Sequence, residues 1–194
     1  MWRQALFLAA TLGTAGCLGG PHSQTFVMSG ATAPAAIPAI PANEQASAVL
    51  QVEVVGLPAY LDTTDILLRR GAHRLESLPL GHWGERLSLG ITHSLAADLT
   101  DKLPLYRVVL HRSEAPSARL LRVNVDTFDV FPDGHCVVVA DWAIVEKSRG
   151  SAPVLGQGTF VTPPLAQAKP DAAALVAAMS AAVAGLAEGV VGTL

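Results

Sequence analysis

Residues 119–146 read RLLRVNVDTFDVFPDGHCVVVADWAIVE. Leu121, Val123 and Val125 alternate with polar residues, the period of a strand with one buried face. Phe128 and Val130 then carry the apolar set on the opposite parity, which predicts a bulge or a bend between sheets. FPDGH (131–135) is a turn: Pro132 pre-sets φ, Asp133 accepts local hydrogen bonds and Gly134 supplies positive φ. CVVVADWAIVE (136–146) returns as a long, mostly buried strand. Cys136 within it reads as a small hydrophobe. A long hairpin is therefore the centre of the fold.

Working outward, SRGSAP is a turn and VLGQGTFVT (154–162) a further strand. Upstream, AVLQVEVVGLP (48–58) alternates as a strand with mixed faces, and Pro58 ends it. Asp62, Thr63 and Thr64 suit a turn. DILLRR and RLESL, reversing at Gly71, predict a hairpin. YRVVLH (106–111) is a strand and SQTFVMS (23–29) a short one. Residues 31–47, ATAPAAIPAIPANEQAS, are too rich in proline for helix or central strand and read as an extended loop.

Two helices complete the pattern. GHWGERLSLGITHSLAADLTDKL (81–103) repeats apolar residues at Trp83, Leu87, Ile91, Leu95 and Leu99, with Glu85 expected in its first turn, Lys102 in its last and Pro104 beyond. In KPDAAALVAAMSAAVAGLAEGVVGTL, Leu175, Met179, Val183, Leu186 and Val190 form one helical face, with Pro170 and Asp171 at its start. This stretch is long enough to span a bilayer. It reads as a core-covering helix, because alanine contributes little transfer energy and no basic or aromatic anchor flanks it. The expected fold class is α+β, an α/β sandwich with a mostly antiparallel sheet and two helices packed on it.

The 194 residues suit one domain, and 51% hydrophobic content is ample for a core. The net charge is −3, so no basic surplus draws the protein to nucleic acid. Arg69, Arg70 and Arg74 form a tight basic group that reads as a solvated strand end. Six histidines show no metal-ligand spacing, and His82 and Glu85 lack a third ligand at matching pitch. No nucleophile elbow, phosphate loop or dinucleotide fingerprint occurs. Asp62, Asp65, Asp126, Asp129 and Asp133 sit where turns and hairpins place aspartate. The chain reads as a non-enzyme with no cofactor and no metal. Trp83 and Trp142 read as core.

The N-terminus carries the most specific signal. MWRQ holds Arg3, and ALFLAATLGTAG follows without charge, the order of a secretory signal (1–16). Removing residues 1–16 leaves 12 basic against 16 acidic residues, a net −4. Thr14, Ala15 and Gly16 lead into Cys17 as small residues lead into the modified cysteine of bacterial lipoproteins, although Thr14 stands where leucine is usual. Cys17 is then the expected lipidation site and 17–22 a tether. The bland alternative is a differently processed signal with an incidental cysteine. Leu18 after the cysteine leans toward outer-membrane sorting.

Several short motifs recur in order: P-x-Y-L-D-x-x-D-I at 58–66, a basic strand end at Arg69, W-x-E-x-L at 83–87, D-x-F-D at 126–129, Gly134 and A-D-W at 140–142. With the lipobox-like cysteine, this order resembles the ABC-type transport auxiliary lipoprotein component family, which includes the PqiC-type lipoproteins of MCE (mammalian cell entry) lipid-transport systems. The likeness covers 23–191 as a single domain. It implies an outer-membrane-anchored, periplasm-facing accessory or docking part. Its implied partners are an MCE-domain protein, an ABC permease and ATPase and, as an option within the family, further copies of itself in a homo-oligomer. Tyr60, Leu61 and Asp62, beside a turn, are candidate partner contacts, with core capping as the alternative for Tyr60 and Leu61. Competing functions are an envelope structural or assembly lipoprotein and a secreted small-molecule or lipid binder.

Overall fold

A computed structural model describes residues 22–29, 48–113, 118–146, 152–167 and 169–194. Cys17 and the proline-rich stretch 31–47 lie outside the described residues. The strands are β1 (Gln24–Phe26), β2 (Ala48–Val52), β3 (Asp65–Arg69), β4 (Leu75–Trp83), β5 (Tyr106–Val109), β6 (Ala118–Val130), β7 (Cys136–Glu146) and β8 (Val154–Val161). The helices are α1 (Leu87–Lys102) and α2 (Ala172–Val191). The class is α+β.

The β6–β7 hairpin is the spine. Its register runs from Arg119 opposite Glu146 to Val130 opposite Cys136 and shifts between Val125 and Thr127. One extra residue, Asp126, is the bulge that the change of parity predicted. It lets Leu121, Val123, Val125, Phe128 and Val130 all face the core despite their change of phase, each at most 2% exposed. The turn closes with Phe131 N–H donating to His135 O at 2.9 Å and Gly134 N–H to Phe131 O at 2.8 Å. Gly134 adopts φ +84, and Leu165 Cδ1 lies 2.4 Å from where a Cβ would stand, so both strain and space require glycine there.

β6 organises the sheet because it is long enough to take three partners. One edge pairs with β7, which pairs with β8. The other edge meets β2 over Ala118–Leu121 and β3 at Val130. The longest pairings are antiparallel, as the hairpin requires, but the sheet is mixed. β1–β4, β2–β5, β2–β6 and β3–β6 run parallel. Sequence periodicity reports burial and not strand direction, so the parallel pairings carried no signal in it.

Both helices cover one face. α2 packs on β7, β8 and α1, and α1 also lies against β5. Leu87, Ile91, Leu95 and Leu99 of α1 and Leu175, Met179, Val183, Leu186 and Val190 of α2 are buried. α2 is therefore a core helix in this fold, despite a length and mean hydropathy of 1.9 that would suit a membrane span. Asp171 caps it by accepting from Ala174 N–H at 2.8 Å.

Two expectations need correction. The helix read at 81–103 begins at Leu87, because Gly81, His82 and Trp83 are strand residues paired in parallel with Gln24, Thr25 and Phe26. Trp83 matches the helical spacing by coincidence; it is buried as the end of β4. Glu85 consequently precedes the helix instead of standing in its first turn, and it bonds His93 Nδ1 at 3.0 Å. The strand read over 48–58 keeps regular pairing only to Val52. Beyond it, Gly56 N–H still donates to Val123 O at 2.9 Å, and Val55 N–H turns to the Thr92 hydroxyl of α1 at 2.9 Å. A helix hydroxyl there satisfies a backbone donor that the ladder has lost.

Candidate functional site

Four of the motif stretches, 58–66, Arg69, 83–87 and 126–129, are linked to one another in two pairs, whereas A-D-W at 140–142 lies apart against β8 and the end of α2. After β2 the chain turns at Pro58, whose carbonyl accepts from Leu61 N–H at 2.9 Å. This turn sends three consecutive side chains in different directions. Leu61 drops into the core and is 2% exposed, which corrects its candidacy as a contact: it has no surface to offer. Tyr60 stays 49% exposed. Asp62 reaches the start of α1.

That helix start explains the aspartate. Arg86 occupies the cap position of α1 and its side chain makes no capping hydrogen bond. Asp62 supplies the missing acceptor from another part of the chain: its Oδ1 accepts from Ser88 N–H at 3.1 Å. Arg86 Nη2 donates to Asp62 Oδ2 at 2.8 Å and to the Asp62 carbonyl at 3.2 Å. Thr63 O accepts from Leu87 N–H at 3.2 Å and Thr64 O from Trp83 N–H at 2.7 Å. The Y-L-D and W-x-E-x-L motifs are thus the two jaws of one clamp.

Burial pushes the Asp62 carboxyl up, but hydrogen bonds from Ser88 and the Arg86 charge outweigh it and hold its pKa below the ordinary 3.8. A depressed carboxylate stabilises the fold above its unfolded pKa, and that stabilisation is lost as pH falls through the folded value. Asp62→Ala is expected to cost about 1–2 kcal/mol at neutral pH, the scale of a lost cap and a part-exposed ion pair. Urea titrations of both proteins should show that gap steady above about pH 5 and narrowing below pH 4. A gap that does not change with pH would remove the charge from this account.

A second pairing joins Arg69 to the D-x-F-D motif. Arg69 Nη2 lies 2.9 Å from Asp129 Oδ1, with the side chains only 18% and 13% exposed. The hydrogen bond to Asp129 raises the Arg69 pKa against the opposing effect of burial, and the Tyr60 hydroxyl adds to it. Cys136, at the start of β7, is pushed up to about 12 by burial and by the nearby Asp129 charge, so its thiol stays neutral and inert. The sequence marked Arg69 as a solvated strand end; its pairing with Asp129 arises only because β3 lies beside the end of β6. Arg70, by contrast, is a surface residue pairing with Glu76 at 3.0 Å.

The chemistry available is modest. Among the described residues no group of three or more His, Cys, Asp or Glu side chains could hold a metal ion. A shallow groove of about 500 Å³ beside the β6–β7 turn is lined by Asp133, His135, Val161, Thr162, Pro163 and Pro164. His135 is fixed there by Asp133 at 2.6 Å and by stacking on Phe131 at 4.0 Å. Trp83 and Trp142 are 3% and 4% exposed, and both belong to the core. What the motif cluster presents outward is Tyr60, on a turn held rigid by two charged pairs.

Comparison with known proteins agrees with this architecture. A solved structure described as an uncharacterized protein superposes with a TM-score of 0.66 at 18% identity, covering 88% of this chain and 97% of its own. The protein XCC0632 from Xanthomonas campestris, of the DUF330 family, gives a TM-score of 0.60 at 17% identity, covering 75% and 81%. These likenesses show a shared fold. No curated protein matches the chain. The family described as ABC-type transport auxiliary lipoprotein component matches residues 31–191, a span that takes in the clamp, the hairpin and both helices. The chain belongs to the ABC-type transport auxiliary lipoprotein component family.

Proposed function

We propose that this protein is an outer-membrane-anchored, periplasm-facing lipoprotein that acts as a docking component of an ABC/MCE-type transenvelope lipid-transport system. The observation that carries the reading is the family match over 31–191. A transport auxiliary component is not an enzyme class, and the motif residues bind one another as a scaffold. Under this reading the lipid on Cys17 fastens the tether to the membrane and the folded domain meets its partners in the periplasm. Tyr60 is the contact we assign, as an amphipathic side chain on a rigid support of the kind that dominates protein interfaces.

Affinity capture of the full chain from solubilised envelopes tests this. An MCE-domain protein is expected among the captured proteins, together with the permease and ATPase. Recovery of peptidoglycan or outer-membrane assembly factors without any MCE-domain protein would overturn the assignment. Tyr60→Ala is expected to weaken MCE capture about tenfold, the effect of losing 1–2 kcal/mol at an interface hot spot. Its circular dichroism spectrum should stay that of the wild type, with only a modest drop in the unfolding midpoint, since half of the side chain is in solvent and the rest meets Arg69.

A further inference from the structure

The strand β8, VLGQGTFV, pairs with β7 along one edge and has no partner on the other among the described residues. Thr162 N–H donates to Cys136 O at 2.9 Å, which sets the alternation of the β7–β8 ladder. By that alternation Leu155, Gln157, Thr159 and Val161 direct their backbone N–H and C=O groups to the free edge. Such edges are ordinarily blunted by lysine, proline or a bulge. β8 carries no charge and its register with β7 is unbroken from Val154 to Val161. Pro153 and Pro163 stand just outside it. On the face away from the helices, Leu155 and Val161 are 70% and 62% exposed, near the two ends of the strand.

We propose that β8 is a self-association edge: two copies of the chain pair β8 with β8, antiparallel about a two-fold axis at Gly158, and join their sheets into one. A two-fold axis normal to the sheet keeps each face continuous, so partners share parity. The register that uses all four outward residues sets Leu155 against Val161 of the second copy and Gln157 against its Thr159. The two exposed apolar ends thereby cover each other, twice. An uncharged strand brings no like charges together when it meets itself, and a second copy offers a strand of the same length bounded by the same prolines. These matches select a second copy over an unrelated partner. The dimer does not depend on the transport reading.

Register-specific cross-linking tests it. Full chains carrying Cys17→Ser are given either Gln157→Cys or Thr159→Cys, purified in mild detergent, and oxidised alone or mixed. Directly opposed positions lie about 5.5 Å apart between Cα atoms, within disulfide reach. Two copies of one position lie diagonally, about 7–8 Å apart, at or beyond that reach. The mixture is expected to give a covalent dimer and each variant alone less than a tenth as much. No dimer in the mixture, or equal yields in all three samples, overturns the proposal. As a second arm, Leu155→Lys with Val161→Lys opposes like charges and should sediment as a monomer, whereas Leu155→Lys with Val161→Glu should dimerise. Identical behaviour of these two variants would also overturn the register.

Discussion

Trp142→Ala is expected to lower the unfolding free energy by about 3–5 kcal/mol, the range for removing a buried tryptophan. For a domain of this size that is a Tm drop on the order of 10 °C. The indole is held on several sides. A Cβ at Gly156 would stand 2.3 Å from its ring, and one at Gly189 would stand 3.1 Å away. Phe160 packs beside it at a centroid distance of 6.3 Å. Its Nε1–H donates to Thr193 Oγ1 at 3.1 Å, and that hydroxyl donates on to Gly189 O at 3.0 Å. The ring therefore locks β7, β8 and the end of α2 together, and truncation leaves a cavity as well as a broken chain of hydrogen bonds. Gly156→Val tests the other half of the fit. It should cost about 1–3 kcal/mol by overpacking against the ring. In the double variant the added valine can enter the space that the indole leaves, so the combined loss should fall short of the sum of the two single losses. Urea unfolding of the four proteins measures this, and strict additivity would mean that the glycine and the ring do not share the space.

Cys17→Ser is expected to move the protein from the membrane fraction to the soluble fraction. Each buried methylene of an acyl chain contributes about 0.8 kcal/mol, so two or three chains hold a domain firmly and their removal releases it. The mass of the mature N-terminus gives the same answer independently, as a diacylglyceryl-modified cysteine or an unmodified one. The other cysteine supplies the control. Cys136 is 0% exposed, with its thiol pushed up to about 12, and Cys136→Ser should leave fractionation unchanged. Membrane retention of the Cys17→Ser protein would overturn the anchor.

Legibility differed between elements for identifiable reasons. The β6–β7 hairpin was readable to within a residue at its ends, and a bulge or a bend was expected where the bulge falls, because burial alternates along a strand and Gly134 marks its turn. α2 was readable because its apolar face repeats without interruption and Asp171 caps it. The start of α1 was misplaced because Trp83 falls on the helical spacing, and only partners distant in sequence, β1 on one side and Asp65 with Thr64 on the other, draw 81–83 into the sheet. Within the candidate site, Asp62 was visible as a turn residue. Its capping of a helix 26 positions away was not, since no local pattern encodes a contact across the fold. Leu61 and Tyr60, adjacent in sequence and similar in character, ended on opposite sides of the surface boundary.

By itself the sequence determined the period and burial of the central hairpin and the second helix, the motif order that marks the family, and the absence of familiar catalytic patterns. These are properties of neighbours along the chain, set by backbone geometry and the hydrophobic effect. The tertiary structure decided the parallel pairings around β6, the joining of the motifs into a clamp through Asp62–Arg86 and Arg69–Asp129, and the open edge of β8. Those depend on which strands lie side by side. Hydrogen bonding between strands is the same for many sequences, and only packing the whole chain around one core selects a particular arrangement.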